Sequence, residues 1–236
     1  MKIIFSDLDG TILQKGETRI NKNIKKSIYK VLESGNAFSV SSGRTYIELK
    51  ELFKEFIDDI YFVCNDGSLC VYKEQTLLDK PMSKDMFADF KEYTAHAKYV
   101  TYIKSANAMT VRKTVRQYRN HVVKIDSIFD IKEDIYKISD FDKSVSCPLP
   151  VVYKNNEMNE FVAPGSDKKE AVSFIISMLN INKENTFAFG DNVNDLGMFE
   201  VCGASYASPT AKPSIKKSAD QIAHCIEKDF LNIIGG

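Results

Sequence analysis

The feature that most restricts the fold is an alternation of short apolar runs and helical repeats that opens the chain, breaks near residue 83 and resumes near residue 164. Ile3-Ile4-Phe5 is a continuous apolar run suited to a strand buried on both faces of a parallel sheet. From Asn21 to Glu33, Ile24, Ile28, Val31 and Leu32 fall at helical spacing, which stops at Gly35. Ala37 to Ser41 reads as a second strand, and Tyr46 to Phe56 as a helix carrying Ile47, Leu49, Leu52, Phe53 and Phe56. Ile60 to Cys64 reads as a third strand, followed by Asn65-Asp66-Gly67 and a hairpin over Ser68 to Leu78. A β-α-β-α-β order with short connections implies right-handed crossovers and a parallel, Rossmann-like α/β sheet.

Past Pro81-Met82-Ser83 the elements shorten. Asp85 to His96 has a helical pattern, Val100 to Ile103 and Phe161-Val162 look like strands, and Pro148 and Pro150 interrupt any element they fall in. The alternation returns with a helix over Asp167–Leu179, a strand over Thr186–Gly190 and a helix over Leu196–Val201, and Asp220 to Ile234 reads as helical. Residues 83–163 are therefore expected to form an inserted α+β domain, with 1–82 and 164–236 forming the core.

Lys plus Arg and Asp plus Glu both number 32, so no global charge points to a nucleic acid or a membrane as partner. The chain reaches Asp7 with no apolar stretch of signal-peptide length, and no run approaches the length of a membrane span. The five cysteines (Cys64, Cys70, Cys147, Cys202 and Cys225) are widely spaced, odd in number and lack C-x-x-C pairing. Reduced thiols in a cytoplasmic protein account for them most simply. Oligomeric state leaves no mark in the sequence.

The opening strand ends abruptly in Asp7-Leu8-Asp9-Gly10-Thr11. At the carboxyl end of such a strand the chain emerges into the crevice where open α/β sheets bind ligands. Two carboxylates ~4 Å apart repel by about 4 kcal/mol at an effective dielectric near 20. A pair of this kind calls for a proton or a cation. The bland alternative is a solvated turn, since Asp and Gly are ordinary turn residues.

Three further clusters sit where strands or helices open into loops. Ser42-Gly43-Arg44 ends the second strand, where a hydroxyl and free backbone N–H groups can receive phosphate oxygens; a plain structural turn is the competing reading. Lys168 follows Pro164-Gly165-Ser166-Asp167 at the start of a helix, against the helix dipole, which suggests a task beyond the surface role of most lysines. Gly190-Asp191-Asn192-Val193-Asn194-Asp195 again sets acids at the mouth of an apolar strand.

In this order, D-x-D-G-T, S-G-R, a Lys before a helix and G-D-x-x-N-D resemble the haloacid dehalogenase-like phosphohydrolase (HAD) superfamily. The long insertion between the second and third clusters resembles its Cof-type branch, whose cap domain occupies that place. The resemblance implies an aspartyl-phosphate mechanism with Asp7 as nucleophile and Asp9 as general acid/base. It places Asp191 with Asp7 and the Asp9 main-chain carbonyl on Mg2+, with Asp195 nearby through water. Leu8, Ser42, Gly43 and Lys168 would hold the phosphoryl oxygens, with Thr11, Arg44 and Asn194 as candidate supporting residues. Mg2+ prefers hard oxygen ligands and keeps several waters, which suits a few carboxylates better than a closed cage.

Two departures stand out. Where the family often has Asn-Gly after the third strand, Asp66 precedes Gly67; where it commonly has Gly after the lysine, Lys169 follows Lys168. In the insertion, Arg112, Arg116 and Arg119, with Lys113 and His121 nearby, would share a helical face: a second anion site on the substrate, or a solvated basic surface. The expected activity is Mg2+-dependent hydrolysis of a small phosphorylated metabolite, a sugar phosphate or a cofactor-like ester. One rival is a phosphohexomutase using the same aspartyl phosphate. The other is a non-catalytic phospho-acceptor binding module, against which Asp9 argues, since a signalling site needs a lasting phosphoryl group.

Overall fold

The structure is a computed structural model that describes residues 1–83, 85–86, 100–103, 108–111, 122–125, 134–140, 151–154 and 159–235. Its principal sheet has eight strands: β1 (Ile3–Ser6), β2 (Ala37–Ser41), β3 (Tyr61–Cys64), β4 (Leu69–Tyr72), β5 (Gln75–Asp79), β12 (Thr186–Gly190), β13 (Ala204–Ala207) and β14 (Gln221–Ile222). The spatial order is β14-β13-β12-β1-β2-β3-β4-β5. From β14 to β3 every pairing is parallel; β4 and β5 add an antiparallel edge through the expected hairpin. β1 lies between β2 and β12, with Phe5 level with Ser39 and with Ala188. The chain winds outward from β1 to one side, then returns to lay down β12 on the other. That reversal opens a crevice at the carboxyl end of β1.

All four residues of β1 are buried because both faces are covered. Ile4 packs on one side with Ile24, Ile28 and Val31 of α1 (Lys22–Glu33) and Phe230 of α6 (Ile226–Gly235). Ile3 and Phe5 pack on the other with Val172 and Ile175 of α3 (Lys168–Met178) and Met198 of α4 (Leu196–Val201). Each such side chain contributes roughly 1.5–3 kcal/mol on burial, so the strand that leads into the first two acids is firmly anchored on both faces.

Helix α1 starts where Asn21 caps it, its side-chain oxygen accepting from Asn23 N and Ile24 N. Helix α2 (Tyr46–Leu52) is shorter than its apolar spacing predicts. After Leu52 the chain tightens into a 3-10 turn at Lys54–Phe56, with Phe56 N bonding Phe53 O, and this keeps Phe53 and Phe56 buried although the α-helix has ended. The expected C-terminal helix is also divided. Gln221 and Ile222 extend the sheet beside Tyr206 and Ala207, and α6 begins only at Ile226, after Asp229 Oδ2 accepts from His224 N and Cys225 N. A short helix α5 (Pro213–Ser218) connects β13 to β14.

A second, six-stranded sheet is formed by β6 (Val100–Ile103), β7 (Ala108–Val111), β8 (Val122–Ile125), β9 (Lys137–Asp140), β10 (Val151–Lys154) and β11 (Asn159–Phe161), in the order β10-β11-β9-β6-β7-β8. Its pairings are antiparallel except β7 with β8. The mixed α/β architecture, a largely parallel sheet plus a separate inserted sheet, is the expected fold class. The expected helix Asp85–His96 lies outside the described residues beyond Met86, as do Arg112, Lys113, Arg116, Arg119, His121, Cys147, Pro148 and Pro150. Among the described residues no helix is long and apolar enough to cross a membrane.

Candidate active site

The clusters from β1, β2, β3 and β12 meet at the carboxyl edge of the principal sheet, the first two each extended by one last ladder bond. Asp7 N donates to Phe189 O at 2.8 Å, and Ser42 N to Val63 O at 2.9 Å. Lys168, the first residue of α3, is capped by Asp167, whose Oδ1 accepts from Glu170 N at 3.0 Å. Its side chain turns inward and is fully buried. Its Nζ donates to Asp7 Oδ1 at 2.7 Å and to Asp195 Oδ1 at 2.6 Å. The second oxygen of Asp195 accepts from Asp191 N at 2.9 Å and Asn192 N at 3.0 Å, folding the loop after β12 around its own carboxylate. Lys169 instead pairs with Glu200 on the surface, so Lys168 is the lysine that enters the site.

Asp7, Asp191 and Asp195 each present a carboxylate oxygen within 4.8 Å of the others. One ammonium faces three acids. Burial pushes the Asp7 carboxyl well above its usual range, and Asp195 and Asp191 add to this against the pull of Lys168. Burial and then Asp195 push Asp191 up to about 6. For Lys168 burial acts downward, but Asp195 and Asp7 outweigh it and hold the ammonium charged. Asp191 Oδ1 and Thr11 Oγ1 are buried without a hydrogen-bond partner among the described residues. An all-oxygen donor set with surplus negative charge and an unsatisfied carboxylate oxygen fits a hard divalent cation such as Mg2+. Gly10 makes room for it: φ is +100°, and a Cβ there would stand 2.3 Å from Asp191 Oδ2.

Asp9 lies apart from this trio. Its side chain is half exposed (52%) and accepts from Arg44 Nε at 2.8 Å and Nη2 at 2.5 Å. The guanidinium fork holds both carboxylate oxygens, and the metal role expected of Asp9 is that of its main-chain carbonyl. Leu8 buries its side chain in the core and closes the following turn through its carbonyl, which accepts from Leu13 N at 2.7 Å, so only its backbone N–H is left for the expected phosphate contact. Ser42 is buried, with its Oγ accepting from Arg44 N at 3.2 Å. Asn194 turns from the acidic trio and donates to Asp66 Oδ1 at 2.8 Å.

Two buried charges, Lys137 and Glu160, were not anticipated from the sequence, and they meet a third, Asp66, noted there only as a departure from Asn-Gly. Asp66 follows β3 in a left-handed stretch, with φ of 50°, 60° and 115° at Asn65, Asp66 and Gly67. This bend brings the backbone against the start of α3, where a Cβ on Gly67 would meet Asp167 O at 2.1 Å. Lys137 from β9 donates to Asp66 Oδ2 at 3.0 Å and to Gly43 O at 2.6 Å, and stands 3.1 Å from Glu160 Oε1 of β11. The available signal was a lysine alone in an apolar run, Ile135-Tyr136-Lys137-Ile138, where a strand would bury it.

A sequence profile describing haloacid dehalogenase-like hydrolases matches residues 4–149 and 116–230. The 5-amino-6-(5-phospho-D-ribitylamino)uracil phosphatase YbjI of Escherichia coli (strain K12) is 25% identical over 241 residues, covering 93% of this chain and 89% of that protein. The phosphatase of the same description YwtE of Bacillus subtilis (strain 168) is 26% identical over 266 residues, covering 93% and 91%. Among solved structures, the HAD subclass IIB sugar phosphatase BT4131 superposes with a TM-score of 0.83 at 19% identity, covering 98% of this chain and 96% of that one. With the acids, the lysine and the Ser42-Gly43-Arg44 loop gathered at the switch point of the sheet, the chain belongs to the haloacid dehalogenase-like hydrolases, in their Cof-type phosphohydrolase branch.

Proposed function

We propose that the chain is a Mg2+-dependent phosphatase of small phosphomonoesters that works through an aspartyl phosphate on Asp7. The observation that carries this reading is the division between two acids two residues apart. Asp7 is buried against Lys168 in a trio of carboxylates, while Asp9 sits on Arg44 at the half-exposed mouth. One is placed to attack and the other to exchange protons with a leaving group or with water.

In the proposed reaction the phosphoryl oxygens rest on Ser42 Oγ, the Leu8 and Gly43 N–H groups and Lys168 Nζ, and Asp7 attacks phosphorus in line. Asp9 donates a proton to the departing alkoxide, then accepts one from the water that cleaves the aspartyl phosphate. Mg2+ held by Asp7, Asp191, the Asp9 carbonyl and, through water, Asp195 would offset the charge on the equatorial oxygens. The second sheet would form a cap, residues 83–163, that limits water and contacts the leaving group. The relatives named as ribitylaminouracil phosphate phosphatases, and the neighbour titled a sugar phosphatase, support a phosphorylated sugar or polyol as substrate. The described cysteines are free thiols, which supports a cytoplasmic setting.

The test is phosphate release from a panel of sugar, polyol and cofactor phosphates with Mg2+ present, alongside Asp7→Asn. Turnover should fall to background in the variant. Near-wild-type hydrolysis by Asp7→Asn would remove the nucleophile, and isomer formation without free phosphate would make the enzyme a mutase.

A further inference from the structure

Lys137 lies far in sequence from every residue of the proposed phosphoryl site, yet its ammonium ends inside it. Among its partners, Lys137 Nζ donates to Gly43 O at 2.6 Å and to Asp66 Oδ2 at 3.0 Å and pairs with Glu160 Oε1 at 3.1 Å. The first two belong to the loops after β2 and β3, the third to β11 beside Lys137's own strand. Lys137, Asp66 and Glu160 are 2%, 1% and 6% exposed, so all three charges are out of water. Ser139 Oγ also donates to Glu160 Oε1, at 2.9 Å.

The position of Asp66 makes this arrangement consequential. Its carboxylate lies against the glycine of the phosphate-cradling loop, where a Cβ on Gly43 would come 2.9 Å from Asp66 Oδ2 and 3.0 Å from Lys137 Nζ. The same carboxylate orients Asn194, whose neighbour Asp195 holds Lys168. An uncompensated anion here would face the place where a phosphate dianion has to bind. Strained left-handed backbone at Asn65 and Asp66 holds it there nonetheless.

We propose that Lys137 is a positioning residue for phosphoryl binding: the second sheet delivers it as the countercharge that masks Asp66 and fixes the Gly43 peptide, so the cradle accepts an anion only with that sheet seated. The inference rests on the reading of Ser42, Gly43 and Lys168 as the phosphate cradle. Counted as ionised, Asp66, Lys137 and Glu160 carry a net charge of −1. Lys137→Met makes this −2, and the pair Lys137→Met with Asp66→Asn returns it to −1.

The experiment is calorimetric titration of inorganic phosphate into the full chain with Mg2+ present, which requires no turnover. Lys137→Met, folded by circular dichroism, should bind phosphate at least about tenfold more weakly, the effect of one unit charge on a dianion ~6 Å away at the dielectric of bulk water, to which burial adds. Adding Asp66→Asn should bring affinity back to within about threefold of wild type. Unchanged phosphate affinity in Lys137→Met overturns the proposal. So does equal weakening in single and paired variants, which would mark a simple brace. Should the single variant fail to fold, the paired variant decides: phosphate binding near wild type supports the countercharge role, and weak binding overturns it. A wild type that binds phosphate yet hydrolyses no ester would defeat the phosphatase reading while this comparison still decides the role of Lys137. No phosphate binding by the wild type would end both.

Discussion

Replacing Lys168 with methionine keeps the aliphatic stem and removes only the charge. In the native site the ammonium bonds two carboxylates, at 2.7 and 2.6 Å, and the side chain is 0% exposed. Removing one partner from a buried ion pair costs about 3–5 kcal/mol, because the remaining charge is neither solvated nor matched. Single domains are stable by only ~5–15 kcal/mol, so the loss is a large share of the total. Urea unfolding of Lys168→Met in EDTA at about pH 7.5 should show a deficit in that range, read from the midpoint at constant slope.

The pH dependence provides an internal check. Burial already raises Asp7 well above the usual carboxylate range, and Lys168 is the group that opposes this. Without the ammonium the rise is larger. An acid raised by folding destabilises the fold where it is ionised, and that cost disappears as pH falls below its folded value. The deficit should therefore shrink as pH falls from about 7.5 toward the ordinary carboxylate range, and added Mg2+ should offset part of it at the higher pH. A variant within about 1 kcal/mol of wild type at about pH 7.5, or a deficit that grows on acidification, would refute the view that Lys168 holds surplus negative charge together.

Asp191, pushed up to about 6 from 3.8 by burial and then Asp195, makes the metal-free protein lose stability as pH rises through that window, with no further change above it. Allowing for its partial exposure, the swing should be about 1–2 kcal/mol in EDTA. Mg2+ competes with that proton, so its affinity by calorimetry should fall as pH drops below about 6; a flat profile would exclude Asp191 as a ligand. Gly10→Ala removes no ligand, but its Cβ would stand 2.3 Å from Asp191 Oδ2 on a backbone with φ of +100°. It should cost about 1–2 kcal/mol in stability and weaken Mg2+ binding about tenfold or more; unchanged metal affinity would show that Asp191 can swing clear without loss.

Much of the core could be read from sequence because its signals are local. An apolar run such as Ile3-Ile4-Phe5 has one good placement, in a sheet covered on both faces, and the acids that end it must then emerge at the sheet edge. β13 and β14 escaped notice for the opposite reason. Ala204-Ser205-Tyr206-Ala207 and Gln221-Ile222 are short and mixed, and become strands through pairing beside β12 rather than through their own pattern. Spacing alone could not end α2 at Leu52, since the 3-10 turn that follows buries the same phenylalanines. Lys137 was illegible as a site residue because its partners are 71 and 94 positions away in sequence, at Asp66 and Gly43. A lysine's neighbours in the chain do not reveal which distant carboxylate it will meet.

The spacing of Asp7 and Asp9 was legible, but the difference in their surroundings was not, and that difference bears on the order of events. Gly10 N donates to Leu13 O and Leu13 N to Leu8 O, a tight turn that leaves Asp7 in the sheet crevice and Asp9 at its rim. Both carboxylate oxygens of Asp9 accept from Arg44, the arrangement suited to taking a proton from water in the second half of the proposed reaction. For the first half the same group has to give a proton to the leaving oxygen, and it cannot do so while both its oxygens accept from the guanidinium. The ester must therefore loosen the Asp9–Arg44 fork as it enters. A phosphate dianion supplies the means, because it competes with Asp9 for the donors of Arg44. On this argument the geometry seen here is the one suited to the hydrolytic half-reaction, and substrate binding itself converts the site to the one suited to attack.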